Sequence, residues 1–321
     1  MSGRKRAKTK GGGFRALVAS ALGAVVLLAA AIACRPDLWL EGAGSQDDSP
    51  SPGGSAGPAG STRRPSPKKS PSATTSKAPS GGAPSNEHLA MGTPVDGDAS
   101  DDYLMTKPQY ALSYNKEKNI PNWVSYSLNA SHFGDVPRFK GKFLADEALP
   151  PGFYRVRHED YVGSGYDRGH MVRSEERTKT PEDNKATFLL TNVLPQYHDL
   201  NAGPWLRLEE HAQDLAQKEK RQLYVITGGI FAKKPETIGK GVAVPTSCFK
   251  VIVVVGKGED ARHVTEETPV IAVVMPNKEG IMSRGWEEYR TSVDEIEKRT
   301  GYELLSRVAE DVQNVIESRA D

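Results

Sequence analysis

Hydrophobic and polar positions divide the chain into three parts. From about residue 101 onward, short apolar runs alternate with turn-forming residues, the pattern of strands bounded by loops. Tyr110–Tyr114 and Trp123–Leu128 predict strands, and Phe188–Val193 predicts another. Gln222–Thr227 reads as a buried strand ended by Gly228-Gly229, with Cys248–Val255 and Pro269–Met275 as two more. One stretch changes period. Trp205, Leu208, Ala212 and Leu215 fall on one face at helical spacing, so Leu206–Lys218 predicts an amphipathic helix. Pro204 fits its first position, where no backbone donor is needed. Ser292–Ser318 predicts one or two helices, interrupted at Thr300-Gly301. The expected fold class for 101–321 is α+β, a mainly antiparallel central sheet flanked by helices.

The other two parts lack this alternation. Residues 1–41 begin with Arg4, Lys5, Arg6, Lys8, Lys10 and Arg15, and then Ala16 to Cys34 runs without a charge. A basic flank before an apolar run is an export signal that keeps the N-terminus inside. Three outcomes stay open: an uncleaved membrane anchor, cleavage after Ala31-Ile32-Ala33, or lipid attachment at Cys34. Each puts the remainder outside the cytoplasm, anchored or secreted. Residues 42–100 are rich in Pro, Ser and Gly and nearly free of large apolar side chains. They cannot bury enough surface to offset the entropy of ordering, so a disordered linker is expected.

Charge sharpens the division. The net charge of +1 is made of an excess of five positive charges before residue 100 and four negative charges after it. A slightly acidic domain cannot bind nucleic acid through bulk charge and would need a local patch. Two cysteines, Cys34 and Cys248, exclude a disulfide framework, and Cys248 reads as a small buried hydrophobe.

Candidate chemistry gathers in the middle of the domain. Asp167-Arg-Gly-His170 sets a base beside an anion-binding guanidinium. In a strand, Arg168 and His170 point to one face and Asp167 to the other. Downstream, Asn201 reads either as the cap of the helix begun by Pro204 or as an oxygen ligand for a hard cation. Glu209 reads either as a solvated helix residue or as a carboxylate holding metal-bound water.

Tyr166–His170, Thr191–Gln196 and Asp199–Glu209 resemble the DNA/RNA non-specific endonuclease family, the endonuclease G-like ββα-metal nucleases. Pro121–Tyr126, Tyr224–Phe231 and Val293–Glu297 with Thr300-Gly301 extend the likeness over roughly 105–310. The resemblance implies the ββα-metal fold, Mg²⁺ (or Mn²⁺) as cofactor, DNA and RNA as substrates, and leaves a homodimer open. It implies His170 as general base, Asn201 as metal ligand and Glu209 as the carboxylate ordering the metal's water. Arg168 and Arg138 are implied as phosphate contacts, and Asn192 as support for the site. Gln213 departs from the pattern, standing where some members carry an arginine. An exported nucleic-acid-binding protein with weak or no catalysis is the alternative.

Overall fold

The structure is a computed structural model, and it describes residues 86–320. The basic N-terminus, the apolar run Ala16 to Cys34 and the linker up to residue 85 lie outside the described residues. Among the described residues, no helix is long and apolar enough to cross a membrane.

The strands are β1 (Tyr103–Thr106), β2 (Ala111–Asn115), β3 (Ile120–Leu128), β4 (Asp167–His170), β5 (Val193–Gln196), β6 (Gln222–Ile230), β7 (Thr237–Ile238), β8 (Val242–Ala243), β9 (Ser247–Val255) and β10 (Val270–Pro276). The helices are α1 (Pro181–Ala186), α2 (His198–Asn201), α3 (Pro204–Gln217), α4 (Val293–Thr300) and α5 (Glu310–Ser318). Six strands form one antiparallel sheet in the order β1-β2-β3-β6-β9-β10. β4 and β5 pair antiparallel as a separate two-stranded unit, and β7 and β8 form another.

The large sheet is covered on both faces. Val124, Tyr126, Val225, Ile252 and Val273 point to one face and pack with Trp205, Leu208, Met171 and Leu194. Trp123, Ile226, Phe249, Val251 and Ala272 point to the other and pack with Val293, Ile296, Leu304 and Ile316. Double coverage is why β9 reads as a nearly continuous apolar run instead of an alternating one. It also makes one exception conspicuous. Lys250 lies in the middle of β9 and alternation sends it to the face of Ile252 and Val254, yet it is buried.

The predicted C-terminal helices are two, α4 and α5. Gly301 separates them in the left-handed conformation, φ 85°, with its amide on the Glu297 carbonyl. Two expectations need correction. Residues 86–100, assigned to the linker on composition, pack onto the domain: Leu89 and Met91 are buried against the sheet, and the buried His88 accepts the Ser127 amide. Phe188–Val193 is not a strand. Leu190–Asn192 is a 3-10 turn, and the strand starts only at Val193. The run is apolar because Phe188 and Leu190 are interior, while the Asn192 amide folds the backbone back by holding Thr187 and Val172.

Candidate active site

β4, β5 and the α2–α3 pair build the site. β4 lies against β5 with Gly169 opposite Leu194. A Cβ on Gly169 would run into the Gln196 side chain, so glycine is required by close approach and not by an unusual backbone angle. Asn192 is fully buried. Its amide accepts the Val172 N–H at 3.0 Å and donates to the Val172 and Thr187 carbonyls, fixing the chain that leaves His170. It clamps the site from beneath and does not line it.

A cavity of about 210 Å³ is lined by His170, Asn201, Glu209, Arg138, Arg173 and Glu175, among others. A larger one of about 610 Å³ lies beside Tyr224 and Arg307, so chemistry rather than size marks the site. The His170 ring sits between Phe143 and Phe188, with centroids at 5.0 and 5.1 Å. Its Nε2 is buried and has no hydrogen-bond partner in the protein. Burial, and then the Arg138 guanidinium, push the imidazole down to about 3, so it is neutral at physiological pH.

Asn201 does not cap α3. It closes α2, and Gly203 precedes Pro204. Its Nδ2 donates to Asp167 Oδ2 at 3.0 Å, an oxygen shared with His198 Nδ1 at 2.8 Å. Asp167 thus orients the amide and leaves the carbonyl oxygen as the ligand atom. An amide oxygen with carboxylates nearby is a hard donor set that fits Mg²⁺ better than a soft metal.

Glu209 is buried, not solvated. One oxygen meets Lys250 Nζ at 3.1 Å and the other lies 3.9 Å from Arg173 Nε. Lys250 Nζ also lies 4.4 Å from the Trp205 ring centre. Burial pushes the Glu209 carboxyl up to about 7, against the pull of the Lys250 ammonium.

Arg138 is held by the tie between its loop and α1, where Phe139 N–H donates to the buried Asn184 at 2.7 Å. Its guanidinium bonds Ser174 and Glu175 and stacks on Phe188 at 4.9 Å. Arg168 stands outside the cavity wall. It donates to the His158 carbonyl at 2.7 Å and lies over Tyr161 and Phe143. Sharing Phe143 with His170 agrees with one strand face for both.

Arg173, Glu175 and Lys250 were missed in the sequence. Lys250 carried a signal, a lone charge inside an apolar strand. Arg173 and Glu175 lie in a charged run, Arg173-Ser-Glu-Glu-Arg177, that reads as solvated surface.

A family model described as DNA/RNA non-specific endonuclease matches residues 85–311. A nuclease of Nostoc sp. is 43% identical over 239 residues, covering 73% of this chain and 86% of the relative. The human mitochondrial nuclease EXOG is 31% identical over 260 residues, covering 76% of this chain and 67% of its own length. In the solved crystal structure of the EndoG/EndoGI complex, one chain superposes with a TM-score of 0.60 at 29% identity, covering 71% of this chain and 95% of that one. The match runs through β4, α2 and α3, which hold His170, Asn201 and Glu209, so the chain belongs to the DNA/RNA non-specific endonuclease family and is a metal-dependent nuclease of the ββα-metal fold.

Proposed function

We propose that this nuclease hydrolyses backbone phosphodiesters of both DNA and RNA without sequence preference, through a single Mg²⁺ and with His170 as general base. The observation that carries the reading is the convergence of a neutral His170, the free amide oxygen of Asn201 and the buried Glu209 on one cavity. His170 takes a proton from water as that water forms a bond to phosphorus and the P–O3′ bond breaks; the departing 3′-oxygen takes a proton from solvent, leaving 5′-phosphate and 3′-hydroxyl ends. A phosphate beside the ring raises its pKa from the low value of the free site toward one suited to a base. Asn201 would hold the cation through its carbonyl oxygen, kept in register by Asp167. Glu209, fixed by Lys250, would order the cation's water. A bound Mg²⁺ would supply charge neutralisation at the phosphate and at the departing 3′-oxygen. Arg138 offsets charge on the non-bridging oxygens. Arg168 braces the β4 edge against Tyr161 and Phe143. Contacts to phosphate alone carry no sequence readout.

The N-terminal basic and apolar segment completes the proposal: the domain acts outside the cytoplasm, anchored or released. Fractionation and mature mass, with and without Cys34→Ala, separate anchor, cleavage and lipidation. For the chemistry, the full-length protein is incubated with supercoiled plasmid, and in parallel with RNA, in Mg²⁺ or EDTA beside His170→Ala. Mg²⁺-dependent nicking lost in His170→Ala is expected. No nicking by the wild type would sink the nuclease mechanism, and equal nicking by His170→Ala would sink the choice of base.

A further inference from the structure

The site contains a chain of alternating charge that runs from core to surface. Lys250 meets Glu209 at 3.1 Å, Glu209 lies 3.9 Å from Arg173, Arg173 meets Glu175 at 3.1 Å, and Glu175 meets Arg138 at 2.9 Å. Side-chain exposure rises along it, from 1% at Lys250 through 16% at Arg173 to 35% at Glu175 and 50% at Arg138. The inner half is locked by burial. The outer half opens to solvent at the cavity mouth, where a substrate enters.

At that mouth Glu175 bridges two guanidiniums, giving Oε1 to Arg138 and Oε2 to Arg173. Two oxygens on one centre, each facing a different guanidinium, is also how the non-bridging oxygens of a phosphodiester would sit. Ser174 Oγ donates to Glu175 Oε2 at 2.8 Å and completes the cradle. Arg173 is held in aim from behind, where its Nη1 donates to Gln213 Oε1 at 3.3 Å. We propose that Arg173 and Arg138 form a two-guanidinium clamp for a substrate phosphodiester, and that Glu175 occupies the clamp until substrate displaces it. This rests on the nuclease reading above and names the groups that give it affinity.

Three features support the clamp. Arg173 is pinned by Gln213 and two carboxylates, so its guanidinium is already oriented when substrate arrives. Glu175 is more exposed than Arg173, and when it turns into water Arg173 still has Glu209 3.9 Å away. Burial would raise its carboxyl, but the Ser174 hydroxyl and the two arginines outweigh that and hold it below the usual range, so it is ionised at neutral pH. An ionised placeholder keeps the two guanidiniums from repelling each other in the free protein. It also competes with every incoming phosphate, which sets affinity for an acidic domain that must release its products.

The test uses the full-length protein in EDTA with a fluorescein-labelled single-stranded DNA 12-mer, read by anisotropy against salt, with steady-state kinetics in Mg²⁺ alongside. Arg173→Ala should weaken binding about tenfold and flatten the slope of log K against log salt by about one phosphate contact. Arg173→Lys should recover part of the affinity. Glu175→Gln, of the same shape, should bind several-fold tighter, with KM falling and the Mg²⁺ requirement unchanged. That gain should disappear in Arg173→Ala. Glu310→Gln, on α5 against the opposite face of the sheet, removes the same charge and should leave binding unchanged. If Arg173→Ala binds like wild type and loses only kcat, Arg173 merely orients Glu209 and the clamp is overturned. If Glu175→Gln binds more weakly, or needs more Mg²⁺, the carboxylate serves the substrate or the metal and is no placeholder. A wild type that neither binds nor cleaves removes the nuclease mechanism and the clamp with it. A wild type that does both while the variants stay unmoved removes the clamp alone.

Discussion

Replacing Lys250 with Met tests whether one ammonium keeps the buried Glu209 charged. Methionine keeps an unbranched apolar stem over Trp205 and removes only the charge next to Glu209. In the wild type, burial raises Glu209 from 4.5 to about 7 although Lys250 pulls it down. Its folded pKa thus lies above its unfolded one. The stability it contributes is full below about 4.5 and is lost as pH rises through about 7. Without Lys250 the folded pKa climbs further, and the loss continues to higher pH. Protonation of Glu209 caps that loss: at pH 8 the wild-type carboxyl, at about 7, lies one unit below the ambient pH, so the variant loses at most about 1.4 kcal/mol before its carboxyl neutralises. For a domain of this size 1 kcal/mol moves Tm by roughly 2–4 °C, so Lys250→Met should melt ~3–6 °C lower at pH 8. At pH 5 Glu209 is protonated in both proteins and the deficit should vanish. Thermal unfolding followed by circular dichroism in EDTA at the two pH values measures this. Adding Glu209→Gln should restore most of the loss at pH 8. A deficit of equal size at both pH values, or none at pH 8, would refute the electrostatic account and leave Lys250 a packing residue.

A second pH effect belongs to the α4–α5 contact. There Asp294, Glu297 and Glu317 bring their carboxylate oxygens within 4.8 Å of one another, and burial raises Glu297 to about 7 and Glu317 to about 8. Both pKa values lie above the unfolded 4.5, so stability falls as pH rises from there to about 8. Glu317→Gln in EDTA should raise Tm at pH 8, by roughly 1–2 kcal/mol of stability, and leave it unchanged at pH 5; a gain at both would contradict the titration. Gly169→Ala should cost about 1–3 kcal/mol of overpacking and lower kcat, with Gln196→Ala recovering stability. No loss in the urea midpoint would show that β4 can move off Gln196. Asn192→Ala leaves buried backbone groups of Val172 and Thr187 unpaired and should lower that midpoint by the equivalent of at least ~2 kcal/mol. An unshifted midpoint would show that the segment after His170 needs no such clamp.

The sequence exposed those parts of the site whose chemistry is unusual for their surroundings. A histidine after Asp-Arg-Gly, an asparagine just before a proline-started helix and a glutamate on that helix stood out, and His170, Asn201 and Glu209 share one cavity. Arg168 stood out equally and lies beside that cavity, because its guanidinium is drawn to the His158 carbonyl and two rings from distant segments. Arg173 and Glu175 did not stand out. Their run of charges reads as solvated, and only the return of the 138 loop and α3 converts it into a cavity wall. Residues 86–100 were misassigned for a similar reason. Their composition is polar, and the few apolar residues, Leu89 and Met91, find partners far away in the chain.

What the sequence determined by itself was periodicity and chemical type. Period two and period 3.6 place the strands and α3, because these depend on neighbours within one or two turns. Tertiary structure decided which charges meet. Covering the sheet on both faces buries Lys250 and brings Glu209 onto it, and the resulting low-dielectric pair leads outward through Arg173 and Glu175 to Arg138. Electrostatic strength depends on distance and burial, and neither is set until segments remote in sequence have packed together.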